Sequence, residues 1–276
     1  MRLGSASGIV AAMTDFESPP PLPPPVADEP CRAWGFWPTL GWGLLAMMSM
    51  IGAQALVAVA FVVGLIVRTK GDTAAPPHEL AQRLLTDSLM LSVAVMVSLP
   101  ALLAVLWLSI RVLKGPRFAE YLALRRFEVR QFFLWAAVLA GVLFGGDRLL
   151  LWMGDSSGQV FMQQLMGGGE YLTLLVVAVA IAGPIGEELL FRGFMFRGIA
   201  ESRAGWPAAI LIPNFFWAAM HVQYSWRTML VVFAMGLVLG MARRFSGSVT
   251  LPLILHFLWN ALASYGSIGG DAAQGS

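Results

Sequence analysis

Seven long apolar runs, separated by short charged loops, decide what this chain can fold into. They lie near residues 37–66, 88–112, 131–153, 171–197, 206–222, 226–242 and 248–265. A helix needs about 20 residues to cross the hydrocarbon core of a bilayer. Only helices and closed barrels can cross it, because no water is there to pair a free backbone group. The runs are too long and too uniformly apolar for barrel strands. The predicted fold is all-α, a polytopic transmembrane helical bundle of about seven spans. Composition agrees: 58% of the residues are hydrophobic and 12% charged, where a soluble domain carries about 45–50% and about 25%. The mean hydropathy is +0.72.

The flanks read differently. Residues 1–35 are polar and centred on the run Pro19-Pro20-Pro21-Leu22-Pro23-Pro24-Pro25. Such a run favours extended polyproline II and builds no core. It reads as a disordered cytoplasmic tail, with a docking ligand for an SH3-like partner as the alternative. No basic stretch leads into an apolar one there, so no cleavable signal peptide is expected. Residues 36–265 form the predicted transmembrane domain and 266–276 a flexible C-terminal tail. The single Cys31 excludes an internal disulfide framework. A net charge of +2 is too small to indicate nucleic acid.

Loop charge gives the orientation. Arg111, Lys114, Arg117, Arg125, Arg126 and Arg130 fall in one loop, Arg197 and Arg203 in another, and Arg243 and Arg244 in a third. With the spans as drawn, these loops share a side, and the positive-inside rule makes that side cytoplasmic. The opposite loops mix Arg68, Lys70, Arg83, Arg148 and Arg227 with Asp72, Glu79, Asp87, Asp147, Asp155 and Glu170. The expected location is the bacterial inner membrane, with the N-terminus in the cytoplasm.

Two adjacent glutamates, Glu187 and Glu188, interrupt the fourth apolar run. An ionised carboxylate in hydrocarbon costs several kcal/mol, so a chain keeps such a pair only for a purpose. The last four spans hold few other strongly polar groups, chiefly Arg192, His221, His256 and Asn260. The third histidine, His78, lies in a polar loop and reads as solvated. Glu188 and Arg192 stand at i,i+4, as do His256 and Asn260, so each pair shares a helix face. Glu187 and His221 lie at similar distances, about 25 Å at 1.5 Å per residue, from the turn near Ala204-Gly205. An antiparallel hairpin would bring them to one depth. His256 is only about nine residues past the Arg243-Arg244 turn and reads as shallower; an offset turn, a tilted helix or entry from the cytoplasmic face would reconcile it. Gly183, Pro184 and Gly186 loosen the helix ahead of the glutamates, either to open a cavity or as ordinary membrane-helix usage. A buried ion-pair network would explain one Glu–Arg pair. It does not explain two carboxylates, two imidazoles and an amide on three helices.

These residues resemble the CAAX prenyl protease and bacteriocin-processing family of intramembrane proteases, also called the Abi family. That family carries EExxxR, FxxxH and HxxxN on successive membrane helices. Here the first stands as Glu187-Glu188-Leu189-Leu190-Phe191-Arg192 and the third as His256-Phe257-Leu258-Trp259-Asn260. The second is altered: Trp217-Ala218-Ala219-Met220-His221 has Trp where Phe is usual, with Phe216 next to it. The resemblance covers about 170–265. It implies an eight-helix bundle with a polar intramembrane cavity open to the cytoplasm. It also implies an intramembrane endopeptidase acting on a peptide or protein that reaches the membrane.

In that reading Glu187 is the general base and His221 helps hold the water. Glu188 is positioned by Arg192, and Asn260 with His256 donate to the oxyanion. The family is named a metalloprotease, and Glu187, His221 and His256 could supply three ligands for a divalent metal such as zinc. A metal-free glutamate mechanism is also proposed for it. With no HExxH helix in the chain, metal-free chemistry is the expectation. Two other readings stay open: a noncatalytic scaffold or bacteriocin-immunity protein keeping the fold, and a proton-coupled transporter, since intramembrane carboxylates and histidines also build proton relays.

Overall fold

The computed structural model describes residues 33–69, 86–167 and 170–274, with only the helix path given for 269–274. The proline-rich run, Cys31 and His78 lie outside the described residues. Nine helices are found among the described residues, and no strand. They are α1 Phe36–Arg68, α2 Ser88–Leu113, the single turn α3 Phe118–Tyr121, α4 Val129–Trp152, α5 Ser157–Met166, α6 Leu172–Ala200, α7 Gly205–Ala219, α8 Trp226–Ser246 and α9 Thr250–Gln274. Six of them (α1, α2, α4, α6, α8 and α9) are long and apolar enough to cross a membrane. The chain is an integral membrane protein with an all-α polytopic fold.

The fifth of the seven runs, drawn as a span at 206–222, needs correction. Helix α7 has 15 residues, so it is about 22 Å long, short of the roughly 30 Å hydrocarbon core. The apolar run continues through Met220, but there the chain leaves the helix and turns. Helix α5 is absent from the sequence reading. Its apolar positions Phe161, Met162, Leu165 and Met166 repeat at helical spacing, but ten residues are too few to register as a span.

Apolar side chains point outward as well as inward, as expected where lipid is the solvent. Leu56 and Val59 of α1, Phe133 of α4 and Leu230 of α8 are all exposed. With 33 residues, α1 is long enough to cross at a tilt. The most buried of the six long helices is α6, which packs beside α2, α7 and α9.

The three basic loops meet at one end of the bundle. Arg197 Nη1 donates to the Glu120 carbonyl at 2.7 Å, and Arg125 Nε donates to the Gly247 carbonyl at 2.7 Å. Val249 N donates to the Ala123 carbonyl at 3.0 Å. Gly247, at φ 67°, lets α8 end and the chain re-enter the bundle. Ser248, Val249 and Leu251 are buried as a result, so α9 starts inset from the surface. This offset turn removes the depth mismatch at His256. At the opposite end, Ser225 Oγ donates to Asp155 Oδ2 at 2.5 Å and caps Thr228 N at the start of α8. The Ser225 and Ser157 bonds hold the Asp155 carboxyl below its usual value.

Helices α7 and α8 approach closely through Gly236. A Cβ there would overlap Asn214 Oδ1 and stand 2.8 Å from Trp217 Cε3. Gly236→Ala is therefore expected to lower stability by about 1–3 kcal/mol. A thermal melt in detergent reads this, and an unchanged midpoint would contradict the packing described.

Candidate active site

The site is built where α6 departs from regular α-helix. Two π-helical stretches, Ala178–Ala182 and Leu189–Met195, lie on either side of Glu187 and Glu188, and Pro184, with no N–H to donate, follows the first. Such bulges recur at functional sites. In the first, Gly183 N–H reaches back to the Ala178 carbonyl, so the Val179 carbonyl loses its α-helical partner. Asn260 Nδ2 donates to it at 2.9 Å. In the second, Phe196 N–H goes to the Gly193 and Phe191 carbonyls, and the Arg192 carbonyl accepts from Arg243 Nε at 2.9 Å. Buried backbone groups need partners, and side chains from α8 and α9 provide them. Asn260 thus fastens α9 to the π-helical part of α6, and its second side-chain N–H and Oδ1 have no partner among the described residues.

Between the two π stretches begins a fully buried ionic centre. Glu188 Oε1 accepts from Arg192 Nη1 at 2.9 Å and from His256 Nδ1 at 2.9 Å. Arg192 Nη2 donates to the Gly236 carbonyl at 3.3 Å, and its guanidinium stacks 4.4 Å from the Trp217 ring centroid. Because a carboxylate only accepts, His256 carries its proton on Nδ1 and turns Nε2 toward Glu187, 3.9 Å from Oε2.

Glu187 is different. Its side chain is 21% exposed where that of Glu188 is 0%, and it lines a cavity of about 930 Å³ together with Trp217, His221, Tyr224, His256 and Asn260. That volume is at the upper end of ligand-sized pockets. Trp217 Nε1 donates to Glu187 Oε2 at 2.5 Å. His221 Nδ1 donates to the Trp217 carbonyl at 2.9 Å, which leaves Nε2 as the acceptor. The Trp217 ring packs edge-on to both His221 and His256, with centroids 5.0 and 5.6 Å away. His221 also stacks on Tyr224. Burial raises the Tyr224 hydroxyl above its ordinary value, and the charge of Glu187 adds to this.

All six residues singled out from the sequence therefore fall in one region. Glu187, His221, His256 and Asn260 line the cavity, and Glu188 and Arg192 form its buried support. His221 makes no direct hydrogen bond or ion pair with Glu187; its contacts run through Trp217. Trp217 is the residue that sequence reasoning missed. In the sequence it reads only as a substitute for Phe, yet its indole N–H makes a bond that Phe lacks. Glu187, His221 and His256 do not form a metal-binding set as they stand: among the described residues, no three His, Cys, Asp or Glu converge to hold an ion.

Comparison with known proteins places this segment. Residues 169–262 match the family model described as Type II CAAX prenyl endopeptidase Rce1-like, the family that the three motifs resemble. The chain is 32% identical over 126 residues to an uncharacterized 24.3 kDa protein of Escherichia coli, a match covering 44% of this chain and 55% of that protein. The chain thus spans about half the length of this relative. No solved structure matches it.

Proposed function

We propose that this membrane protein is an intramembrane endopeptidase in which Glu187 activates water within the cavity. The observation that carries this reading is the division between the two glutamates. Glu188 is enclosed, with Oε1 held by Arg192 and His256 and Oε2 buried away from the cavity without a partner, whereas Glu187 faces open space and is held by one indole N–H. That asymmetry separates a base from its ionised support. The match over residues 169–262 supports the same reaction class. The reading includes an N-terminus in the cytoplasm of a bacterial inner membrane, supported by the three basic loops gathered at one end.

The steps balance on the chain's own groups. Glu187 takes a proton from water, and the hydroxide forms a bond to the scissile carbonyl carbon. The oxyanion accepts from the second side-chain N–H of Asn260, while His256, held by Glu188, lines the wall beside it. Glu187 then returns the proton to the amide nitrogen, the C–N bond breaks, and a carboxylic acid and an amine leave. His221 Nε2 accepts from the water and fixes its direction. Since the candidate ligands do not converge, no step passes through a metal.

The test is purified full-length protein in detergent with a peptide library, read by mass spectrometry with and without chelator. Cleavage that persists with chelator is expected. No cleavage in either arm defeats the peptidase reading, and loss with chelator that zinc restores defeats the metal-free mechanism. Trp217→Phe keeps the aromatic packing and removes only the donor to Glu187. A hydrogen bond to a charged group contributes about 1.5–3 kcal/mol, so kcat should fall about tenfold or more with KM little changed. Unchanged kcat would show that this bond does not position the base.

A further inference from the structure

The walls of the cavity come from the half of the bundle remote from the basic loops. Helix α4 starts at the basic end, and its contribution comes from its second half, through Leu143, Asp147 and Leu150. Helix α8 ends at the basic end and contributes from its first half, through Thr228, Val231 and Met235. Helix α5 and the turn at Gln223-Tyr224, both at the far end, complete the wall. Toward the basic end the interior is filled instead: Leu106, Ile110, Leu190, Phe194, Leu239 and Leu251 are all buried in one apolar cluster. At the far end the lining residues Gln159 and Gln223 are exposed. Gln159 Nε2 donates to Asp147 Oδ1 at 2.9 Å; the second N–H and the carbonyl oxygen of such an amide match the C=O and the N–H of an extended peptide.

We propose that the cavity is entered from the face opposite the basic loops, so that its occupant is a peptide segment presented on the extracytoplasmic side of the membrane. The positive-inside rule assigns the basic loops to the cytoplasm, and the packed floor closes that route. The resemblance implied a cavity open to the cytoplasm; the lining of this one runs the other way. That the occupant is a peptide rests on the endopeptidase reading, whereas the side of entry does not.

Single cysteines read the side of entry without any cleavage assay. In the full chain with Cys31→Ser, Gln223→Cys marks the mouth, Ala263→Cys the inner wall and Arg203→Cys the basic end. In bacterial spheroplasts, a membrane-impermeant maleimide should label Gln223→Cys and Ala263→Cys at once. Arg203→Cys should label only after permeabilisation. Gln159→Cys, also exposed at the mouth, serves if Gln223→Cys fails to insert. Mouth cysteines that label only after permeabilisation, or not at all until the protein is unfolded, overturn the proposal. Correct labelling with no cleavage of any added peptide would defeat the endopeptidase reading and leave the side of entry standing.

Discussion

Glu187→Gln is expected to lower peptide cleavage by about 10²–10⁴-fold, the usual contribution of a positioned general base. The protein should still insert and melt as the parent does. Gln keeps an oxygen that can accept the Trp217 indole N–H, so the bond to Glu187 Oε2 has a substitute. What it cannot do is take a proton from water. The effect should appear in kcat, because the amide occupies the same volume in the cavity. The comparison with Glu188 sharpens the test: that carboxylate is 0% exposed, so no water reaches it and it cannot serve as the base. The variant also separates the rival readings. A scaffold or immunity protein would keep its cellular phenotype in the Glu187→Gln variant, and a transporter would show proton-coupled flux in liposomes that the substitution stops. Full peptidase activity in the variant would remove Glu187 from the mechanism.

The parts of this site that were legible in the sequence are those governed by the cost of charge in lipid. Glu187, Glu188, Arg192, His221, His256 and Asn260 stood out because each is expensive in an apolar span. The i,i+4 spacing of Glu188 and Arg192 gave their pairing correctly. What was not legible depends on helix irregularity and on chain re-entry. Spacing along an ideal helix cannot reveal that α6 widens into π turns, nor that Asn260 bonds the Val179 carbonyl that the first of them frees. The inset start of α9 at Val249 depends on the Ala123 and Arg125 backbone carbonyls, more than a hundred residues away in sequence. Trp217 read only as an aromatic standing in for Phe, and only the fold shows what lies within reach of its N–H. Helix α5 was passed over because a length filter suited to spans discards a ten-residue wall of the cavity.

Arg192→Met is expected to be the most damaging single change to stability, at about 3–5 kcal/mol. The guanidinium is 3% exposed and its partner carboxylate 0%. Removing it strands Glu188 in the core with only His256 as a donor. It also frees the Gly236 carbonyl and leaves the Trp217 face without its cation. Lysine should not rescue the site, because a single ammonium cannot reproduce the fork that meets both Glu188 and Gly236. Neutralising both partners should cost less than neutralising one: a Glu188→Gln, Arg192→Met double variant has no unpaired buried charge, and such pairs are often replaced at little cost. Thermal or denaturant unfolding of the parent, both single variants and the double variant in one detergent gives the coupling directly. Strong non-additivity is the expected result. Additive losses, or an Arg192→Met protein as stable as the parent, would mean that the ionic centre beneath Glu187 does not hold α6, α8 and α9 together, and that the cavity's geometry has another origin.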